Sequence, residues 1–184
     1  MRCSLRRSLP PALRASATVH TVKQLWAPWR MAYVSGETQS ASDCFLCDAV
    51  AGNGDAANLV VDHTARTITL LNRFPYNSGH VMVAPVRHTG DPRDLNDDEG
   101  AAFFRALQRA LRAIDAALHP DGFNTGLNLG GAAGGSVSHL HEHVVPRWSG
   151  DTNFMPVVGE VKVLPEHLES TAARLREAFA ALPH

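Results

Sequence analysis

The spacing of apolar and polar residues predicts one long helix in the middle of the chain. From Asn96 to about Leu118, apolar side chains recur every three or four residues, which is the period of one helix face. The predicted stripe consists of Phe104, Leu107, Leu111, Ile114 and Leu118. Asn96 is placed to cap the helix, with Glu99 three residues later in the capping-box position.

A second helix is predicted at the C-terminal end, and short strands elsewhere. The helix begins near Pro165, and its apolar positions are Leu168, Ala172, Leu175 and Phe179. Strands are predicted for short apolar runs at residues 59–62, 67–71, 80–85 and 123–129 and for the segment that starts at His139. The Pro, Asn, Ser and Gly residues within 72–79 predict a turn. The order β-β-β-α-β-β-α favours an α+β fold with a mostly antiparallel sheet.

The segment His139-Leu140-His141-Glu142-His143 carries three histidines at alternate positions. As a strand it would present all three on one face, each about 6.5–7 Å from the next, with Glu142 on the other face. Three imidazoles on one face are unsuited to an apolar core. They indicate either metal binding or chemistry on an anionic substrate.

Two chemistries fit these histidines. A three-histidine zinc site would activate water, but it would want an acidic partner on the same face, where Glu142 does not lie. Alternatively, a neutral imidazole is a competent nucleophile at pH 7 and would form a phosphoramidate with a phosphorus centre. The glycine-rich segment 130–135 just upstream is either a plain flexible loop or a source of backbone N–H donors for phosphate. We favour the nucleophile, because it uses both the histidines and the loop.

Cys44 and Cys47 form a CxxC pair, whereas Cys3 is isolated. An odd count with one close pair indicates a reduced compartment rather than a disulfide framework, so we expect a cytoplasmic protein. A structural zinc site needs four ligands, which His88 and one of the three clustered histidines would complete. A redox pair would need a helix start in a thioredoxin-like unit, and a chance pair of buried cysteines is the remaining alternative.

Composition narrows the class of protein further. The chain has 184 residues, 45% of them hydrophobic, and a formal net charge of −1. This is typical of a globular protein and gives no electrostatic reason to bind long nucleic acid. No run of 18 apolar residues occurs, so we expect no membrane span. Residues 1–23 are rich in arginine and lack acidic residues, which indicates a disordered extension or an organelle-targeting segment.

The segment HLHEHVV resembles the HxHxHxx signature of the histidine-triad (HIT) superfamily. Further blocks, LWAPWRMAYV, CFLC, LLNRFPYNSGHVMVAPVRH, PDGFNTGLNLG and HVVPRWSGDTNFMPVVGEVKV, are similar to its bacterial diadenosine tetraphosphate (Ap4A) phosphorylase-like branch. The resemblance implies a HIT fold, with a five-stranded sheet, a long central helix and a C-terminal helix, in a homodimer. It divides the chain into the extension 1–23, a HIT domain with an N-terminal arm at 24–164, and the C-terminal helix at 165–184.

The resemblance also implies roles for individual residues. The central histidine, His141, would be the nucleophile that accepts the nucleotidyl group. Contacts with the substrate are implied for Asn72, His80, Asn128 and His143. The zinc-bearing members imply that the ligands here are Cys44, Cys47, His88 and His139.

One feature departs from the phosphorylase-like pattern. The glycine-rich loop is one residue short, lacks the usual acidic residue before the first histidine, and ends Gly135-Ser136-Val137-Ser138. This ending is similar to the HINT branch, whose members cleave nucleoside phosphoramidates and use the matching serine, here Ser136, at the leaving group. The phosphorylase-like resemblance predicts phosphorolysis of Ap4A to ATP and ADP, and the HINT-like ending leaves open whether phosphate or water is the acceptor. The alternatives are a phosphoramidate or dinucleotide hydrolase, a nucleotide sensor without turnover, and a zinc hydrolase without a covalent intermediate.

Overall fold

The structure is a computed structural model that describes residues 43–135, 137–151 and 167–183. Its α-helices are α1 (Phe45–Val50), α2 (Gly54–Ala57), α3 (Asp97–Leu118) and α4 (Leu168–Ala181). Its strands are β1 (Val60–His63), β2 (Thr67–Leu71), β3 (Val81–Pro85), β4 (Gly122–Leu127) and β5 (Glu142–Arg147). The predicted order of strands and long helices is confirmed, and the short helices α1 and α2 are additions. The predicted extension, the aromatic arm and both predicted domain boundaries lie outside the described residues.

Within the described part of the chain, the strands form one five-stranded sheet in the order β1-β2-β3-β5-β4. Every pair of neighbours is antiparallel. The predicted α+β class and antiparallel sheet are therefore confirmed. β5 lies between β3 and β4, so residues from the β2–β3 turn, from β4 and from β5 meet in one region of the sheet.

The two faces of the sheet are covered by different helices. On one face, Leu71, Val83 and Val144 belong to the same buried cluster as residues of α3 and α4. On the other face, Ile68, Leu70 and Met82 cluster with Leu46 and Ala49 of α1. Alternation along each strand produces this division, because successive side chains point to opposite faces. The histidines lie on the α1 side, so α1 and its cysteines are placed beside them.

The N-terminus of α3 has the predicted capping box. The Asn96 side chain accepts a hydrogen bond from the backbone N–H of Glu99 at 2.9 Å, and the Asn96 N–H donates to the Glu99 carboxylate at 3.1 Å. Arg87 also donates to both oxygens of Glu99, at 2.7 and 2.8 Å. These bonds tie the start of α3 to the segment after β3. The helix ends at Leu118, and the next residue, His119, has a left-handed φ of 49°.

The predicted apolar stripe of α3 is wrong at its first position. Phe104 is 59% exposed, and Phe103 takes its place in the core at 8%. Either phenylalanine fits a helical period that includes Leu107 and Ile114, so spacing alone does not choose between them. The phase is set by Ala106, Ala110 and Ala113, whose small side chains are buried and allow the helix to approach the sheet closely.

The predicted histidine strand is also wrong in its first half. β5 begins at Glu142, and its pairing with β3 ends where Val83 meets Glu142, so only His143 of the three histidines lies in the strand. Before that point, the Leu140 N–H donates to the carbonyl of Thr89, which lies in the segment after β3, and not to a carbonyl of a neighbouring strand. His139 and His141 are therefore not related to His143 by strand alternation.

The C-terminal helix packs as its apolar positions predicted. Ala172, Leu175 and Phe179 are buried against the main cluster, and Leu168 is partly buried. α4 begins at Leu168, and Pro165 lies outside the described residues. No helix among the described residues is long and apolar enough to cross a membrane.

Replacing Asn96 with alanine tests the capping box. Asn96→Ala removes the side-chain acceptor for the Glu99 N–H, and we expect the free energy of unfolding to fall by about 1 kcal/mol. Urea denaturation of the variant and of the unaltered protein measures this difference. Asn58→Ala, in an exposed turn outside any helix, is the matched control. Equal stability of the two variants would contradict the capping role.

Candidate functional site

Four predicted metal ligands from distant parts of the chain meet in one cluster. The sulfur atoms of Cys44 and Cys47 and the ring nitrogens of His88 and His139 all lie within 4.8 Å of one another. Cys47 Sγ is 3.1 Å from His88 Nδ1 and 3.5 Å from His139 Nδ1, and Cys44 Sγ is 3.4 Å from His139 Nδ1. Two sulfurs and two imidazoles at such separations are a donor set that suits a tetrahedral zinc ion.

The surroundings of these side chains favour cation binding at His139 and oppose it at Cys47 in the absence of a metal. His139 Nε2 lies 2.9 Å from the carbonyl of Pro85, which only accepts, so the ring proton is on Nε2 and Nδ1 keeps its lone pair. Burial lowers the pKa of His139, which favours the neutral ring that a metal needs. Burial and hydrogen bonding to Cys44 raise the pKa of Cys47 to about 11. A bound divalent cation would favour the thiolate instead.

One structural feature supports the redox alternative for the cysteine pair, and two others oppose it. α1 begins directly after Cys44, as a redox pair would require. However, both cysteines lie at hydrogen-bond distance from histidine rings, and the sheet is antiparallel rather than the thioredoxin-like unit that a redox motif needs. The contacts therefore favour metal binding.

His141 is held in one tautomer by the backbone of His139. Its Nδ1 lies 2.7 Å from the His139 carbonyl oxygen, so Nδ1 carries the proton and donates it. The lone pair of the neutral ring is then on Nε2. The ring is 7% exposed and lies edge-on to His143, with centroids 4.9 Å apart.

His143 is oriented by a chain of hydrogen bonds that begins at a backbone amide. The Tyr76 N–H donates to His80 Nδ1 at 3.0 Å, so His80 carries its proton on Nε2. That Nε2–H donates to His143 Nδ1 at 3.0 Å, which places the His143 proton on Nε2. His80 is fully buried, so the structure gives it contact with His143 rather than an exposed surface for substrate.

Asn128 and Asn72 lie on opposite sides of His143. The side-chain nitrogen Nδ2 of Asn128 is 3.2 Å from His143 Nε2. Because His143 donates from Nε2, this pair forms a hydrogen bond when the Asn128 amide is turned by 180° so that its oxygen accepts. Asn72 follows β2, and its side chain accepts a bond from the Phe74 N–H at 2.9 Å, which shapes the turn that precedes His80. In the sheet, β2 lies on one side of β5, and β4 lies on the other side. Asn128 follows β4 directly in the chain.

The glycine-rich loop is compact rather than open. Gly130 and Gly134 have φ values of +79° and +85°, and a Cβ on Gly135 would lie 2.8 Å from the Asn128 carbonyl oxygen. The N–H groups of Ala133, Gly134 and Gly135 bond within the loop, which reduces the number of donors that it can offer to phosphate. Ser136, predicted to act at the leaving group, lies outside the described residues.

Glu142 lies on the face of β5 opposite to His143, as the alternation of side chains along a strand predicts. It hydrogen-bonds to the side chain of Thr125, and burial raises its pKa. Sequence reasoning missed three groups that orient the site: the Thr89 and Pro85 carbonyls and the Tyr76 ring, which stacks on His80 with centroids 5.0 Å apart. Carbonyl contacts leave no signal in residue types, whereas Tyr76 stands out as an aromatic residue inside a turn.

Sequence comparisons identify relatives of this chain. The HIT domain family model matches residues 53–150. A Mycobacterium tuberculosis (strain H37Rv) protein named AP-4-A phosphorylase is 40% identical over 169 residues, which cover 88% of this chain and 87% of that protein. A Bacillus subtilis protein named Protein hit is 28% identical over 145 residues, or 77% of this chain and 97% of that protein.

A solved structure of similar fold comes from Mycobacterium smegmatis and is described as a zinc-bound histidine triad family protein. It superposes with a TM-score of 0.62 at 32% identity, covering 74% of this chain and 93% of its own. The fold, the family match and the relatives agree in making this chain an enzyme of the nucleotidyltransferase or hydrolase type. The chain belongs to the histidine-triad (HIT) family.

Proposed function

We propose that this protein transfers a nucleotidyl group from a dinucleoside polyphosphate through a covalent intermediate on His141, and that its reaction is phosphorolysis of Ap4A to ATP and ADP. The observation that carries the proposal is the 2.7 Å contact between His141 Nδ1 and the His139 carbonyl. It leaves Nε2 as the atom with a lone pair in the neutral ring. The 40% identity to a protein named AP-4-A phosphorylase supports the choice of substrate.

The reaction divides into two displacements. In the first, His141 Nε2 forms a bond to the α-phosphorus of one adenylate, and the bond from that phosphorus to the bridging oxygen breaks, releasing ATP. In the second, an oxygen of inorganic phosphate attacks the same phosphorus, the nitrogen–phosphorus bond breaks, and ADP leaves. The imidazole is restored, so one nucleophile serves both steps.

The neighbouring groups stabilise charge on the phosphoryl oxygens. His143 would donate its Nε2–H to a non-bridging oxygen in place of Asn128, and the Asn128 amide would contact the phosphate chain. His80 keeps His143 in the donating tautomer. Asn72 would hold the ribose of the transferred nucleotide, and Ser136 would assist the leaving group, as the family resemblance implies.

We propose that Cys44, Cys47, His88 and His139 hold a structural zinc ion. The donor set and its spacing support this, as does the zinc in the M. smegmatis relative. Zinc would join the start of α1, the segment after β3 and the segment before β5. Because the His139 carbonyl orients His141, fixing His139 would also fix the nucleophile.

Water as the acceptor is the second candidate. The loop ending Gly135-Ser136-Val137-Ser138, similar to the HINT branch, favours it. We also propose a homodimer, as the family resemblance implies. Within the described part of the sheet, β4 pairs with β5 alone and exposes Asn124, Thr125 and Gly126, and this edge supports association.

The acceptor is tested by incubating the protein with Ap4A in the presence and absence of inorganic phosphate. We expect ADP and ATP only when phosphate is present, measured by anion-exchange chromatography. AMP and ATP formed without phosphate would show that water is the acceptor. Micromolar binding of Ap4A without turnover would show a sensor instead.

Replacement of His141 tests the nucleophile. His141→Asn removes the attacking nitrogen, and we expect kcat to fall by about a thousandfold or more while Ap4A binding changes little. Stopped-assay rates and calorimetric titration measure the two quantities. His63→Asn, an exposed histidine at the end of β1, is the matched control. A normal rate in His141→Asn would exclude the covalent mechanism.

Loss of zinc ligands tests the metal site. We expect one zinc per chain by mass spectrometry of the native protein, and Cys44→Ala and His88→Ala should each lower both the zinc content and the melting temperature. The exposed His88 side chain is the decisive one, because its removal leaves no cavity in the core. His63→Ala should keep the zinc. A native protein without metal would contradict the proposal.

A further inference from the structure

One peptide group in front of the nucleophile is held by hydrogen bonds on both of its sides. The carbonyl of His139 accepts from His141 Nδ1 at 2.7 Å, and the N–H of Leu140, which belongs to the same peptide group, donates to the carbonyl of Thr89 at 2.5 Å. A peptide group is planar and trans, so its C=O and N–H point in opposite directions. The Thr89 carbonyl therefore fixes the direction in which the His139 carbonyl points at His141.

Gly90 allows the segment after β3 to approach the residues before β5 this closely. A Cβ atom placed on Gly90 would lie 3.1 Å from the carbonyl oxygen of Ser138 and 3.7 Å from its carbonyl carbon. The first distance is closer than a Cβ atom ordinarily approaches another atom, and the neighbour is backbone, which cannot rotate aside as the end of a side chain can. A side chain at position 90 would therefore push Ser138, and with it the peptide group of His139, away from Thr89.

The requirement for glycine at position 90 is one of space and not of backbone conformation. The φ of Gly90 lies outside the left-handed range, whereas Gly130 and Gly134 lie within it. An alanine at position 90 would therefore meet no penalty from φ. Gly90 is also exposed, so a substitution there leaves no cavity in the core. The effect of a methyl group at this position is thus transmitted through its contact with Ser138.

The segment that carries Gly90 is anchored on its other side to the start of α3. The Arg87 guanidinium donates to both carboxylate oxygens of Glu99, at 2.7 and 2.8 Å, and to the carbonyl of Asp94 at 2.8 Å. An arginine that forms two parallel bonds with a carboxylate is held in a defined geometry. The segment therefore has little freedom to move outward, and a side chain at position 90 displaces Ser138 instead.

We propose that Gly90 is a positioning residue for the nucleophile His141. Its lack of a side chain lets the Thr89 carbonyl hold the Leu140 N–H, and the peptide group held in this way aims its own carbonyl at His141. An imidazole that loses this acceptor can carry its proton on either nitrogen, so the lone pair no longer stays on Nε2. The kinetic consequence rests on the proposed function, whereas the state of the ring is measured without any substrate.

Gly90→Ala tests this role, and Gly100→Ala is the matched control, because Gly100 lies in α3, where a Cβ atom has nothing within 4 Å. Nitrogen NMR chemical shifts of the histidine rings, recorded at about pH 8, where an ordinary imidazole is neutral, show which nitrogen carries the proton. We expect the proton of His141 on Nδ1 in the unaltered protein and in the control, and shared between Nδ1 and Nε2 in Gly90→Ala. The ring of the exposed His63 should be the same in all three proteins.

The kinetic measurement uses the same variants with Ap4A and phosphate. We expect kcat of Gly90→Ala to fall about tenfold, because a displacement of a few tenths of an ångström is smaller than the misplacement of about 1 Å that costs about a hundredfold. KM should change by less than about twofold, since the groups proposed to bind substrate are left in place. Gly100→Ala should keep both constants. Arg87→Met, which frees the loop without adding an atom at position 90, should change the His141 ring in the same direction by less.

Melting temperature and zinc content are measured for each variant. An unchanged His141 ring in folded Gly90→Ala overturns the positioning role, and so does a changed ring with an unchanged kcat. If Gly90→Ala loses zinc and its His141 ring matches that of His88→Ala, the metal accounts for the effect and the role is overturned. If Gly90→Ala does not fold, Arg87→Met decides by the same criteria. If the ring changes as expected but even the unaltered protein does not turn over Ap4A, the proposed function fails and the positioning of the ring stands.

Discussion

The backbone and side chain of His139 connect the two halves of the site. Its ring lies among Cys44, Cys47 and His88, with Nε2 directed at the Pro85 carbonyl, while its own carbonyl accepts the proton-bearing nitrogen of His141. One residue therefore contributes to the geometry of the candidate metal site and sets the tautomer of its neighbour. Because these bonds lie in a buried region, breaking any of them would leave a polar group without a partner, which costs about 1–3 kcal/mol.

The sheet makes this arrangement possible by using its two faces differently. The face under α3 and α4 carries the larger apolar cluster and stabilises the fold. The face under α1 carries a smaller apolar cluster, the candidate metal ligands and the histidines. Antiparallel pairing of β3 with β5 then brings His80 beside His143, although 63 residues separate them in the chain. The larger apolar cluster under α3 and α4 holds the strands in register, and the strands in turn position the side chains on the other face.

The sequence predicted the features that depend on local rules. The Asn96–Glu99 capping box, the strands β1 and β2 and the buried face of α4 all follow from residues close together in the chain. The phase of α3 and the start of β5 did not follow, because both depend on distant groups. Phe103 and Phe104 are the same residue type, and only packing against the sheet decides which of them is buried. Leu140 is held out of the sheet by its hydrogen bond to the carbonyl of Thr89, which lies 51 residues earlier.

The sequence predicted which residues lie near one another in the site better than it predicted the hydrogen bonds between them. The resemblance to HIT proteins implied a metal site of four residues, and the fold places those four residues together. The hydrogen bonds that set each imidazole tautomer involve carbonyl and amide groups common to all residues, so composition and motif carry no trace of them. The cavity that Tyr76, Asn128 and His143 line likewise depends on the space between strands and turns, which residue types do not specify.

The hydrogen-bond chain through His80 starts from the backbone. Its first donor is the backbone N–H of Tyr76, whereas the side chain of that residue stacks on His80 and borders a cavity beside His143. Every residue except proline would supply the same donor at position 76, so the direction of the hydrogen bonds from His80 to His143 does not depend on the side chain there. The protonation of these two imidazoles is thus set by the shape of a turn and not by a residue type.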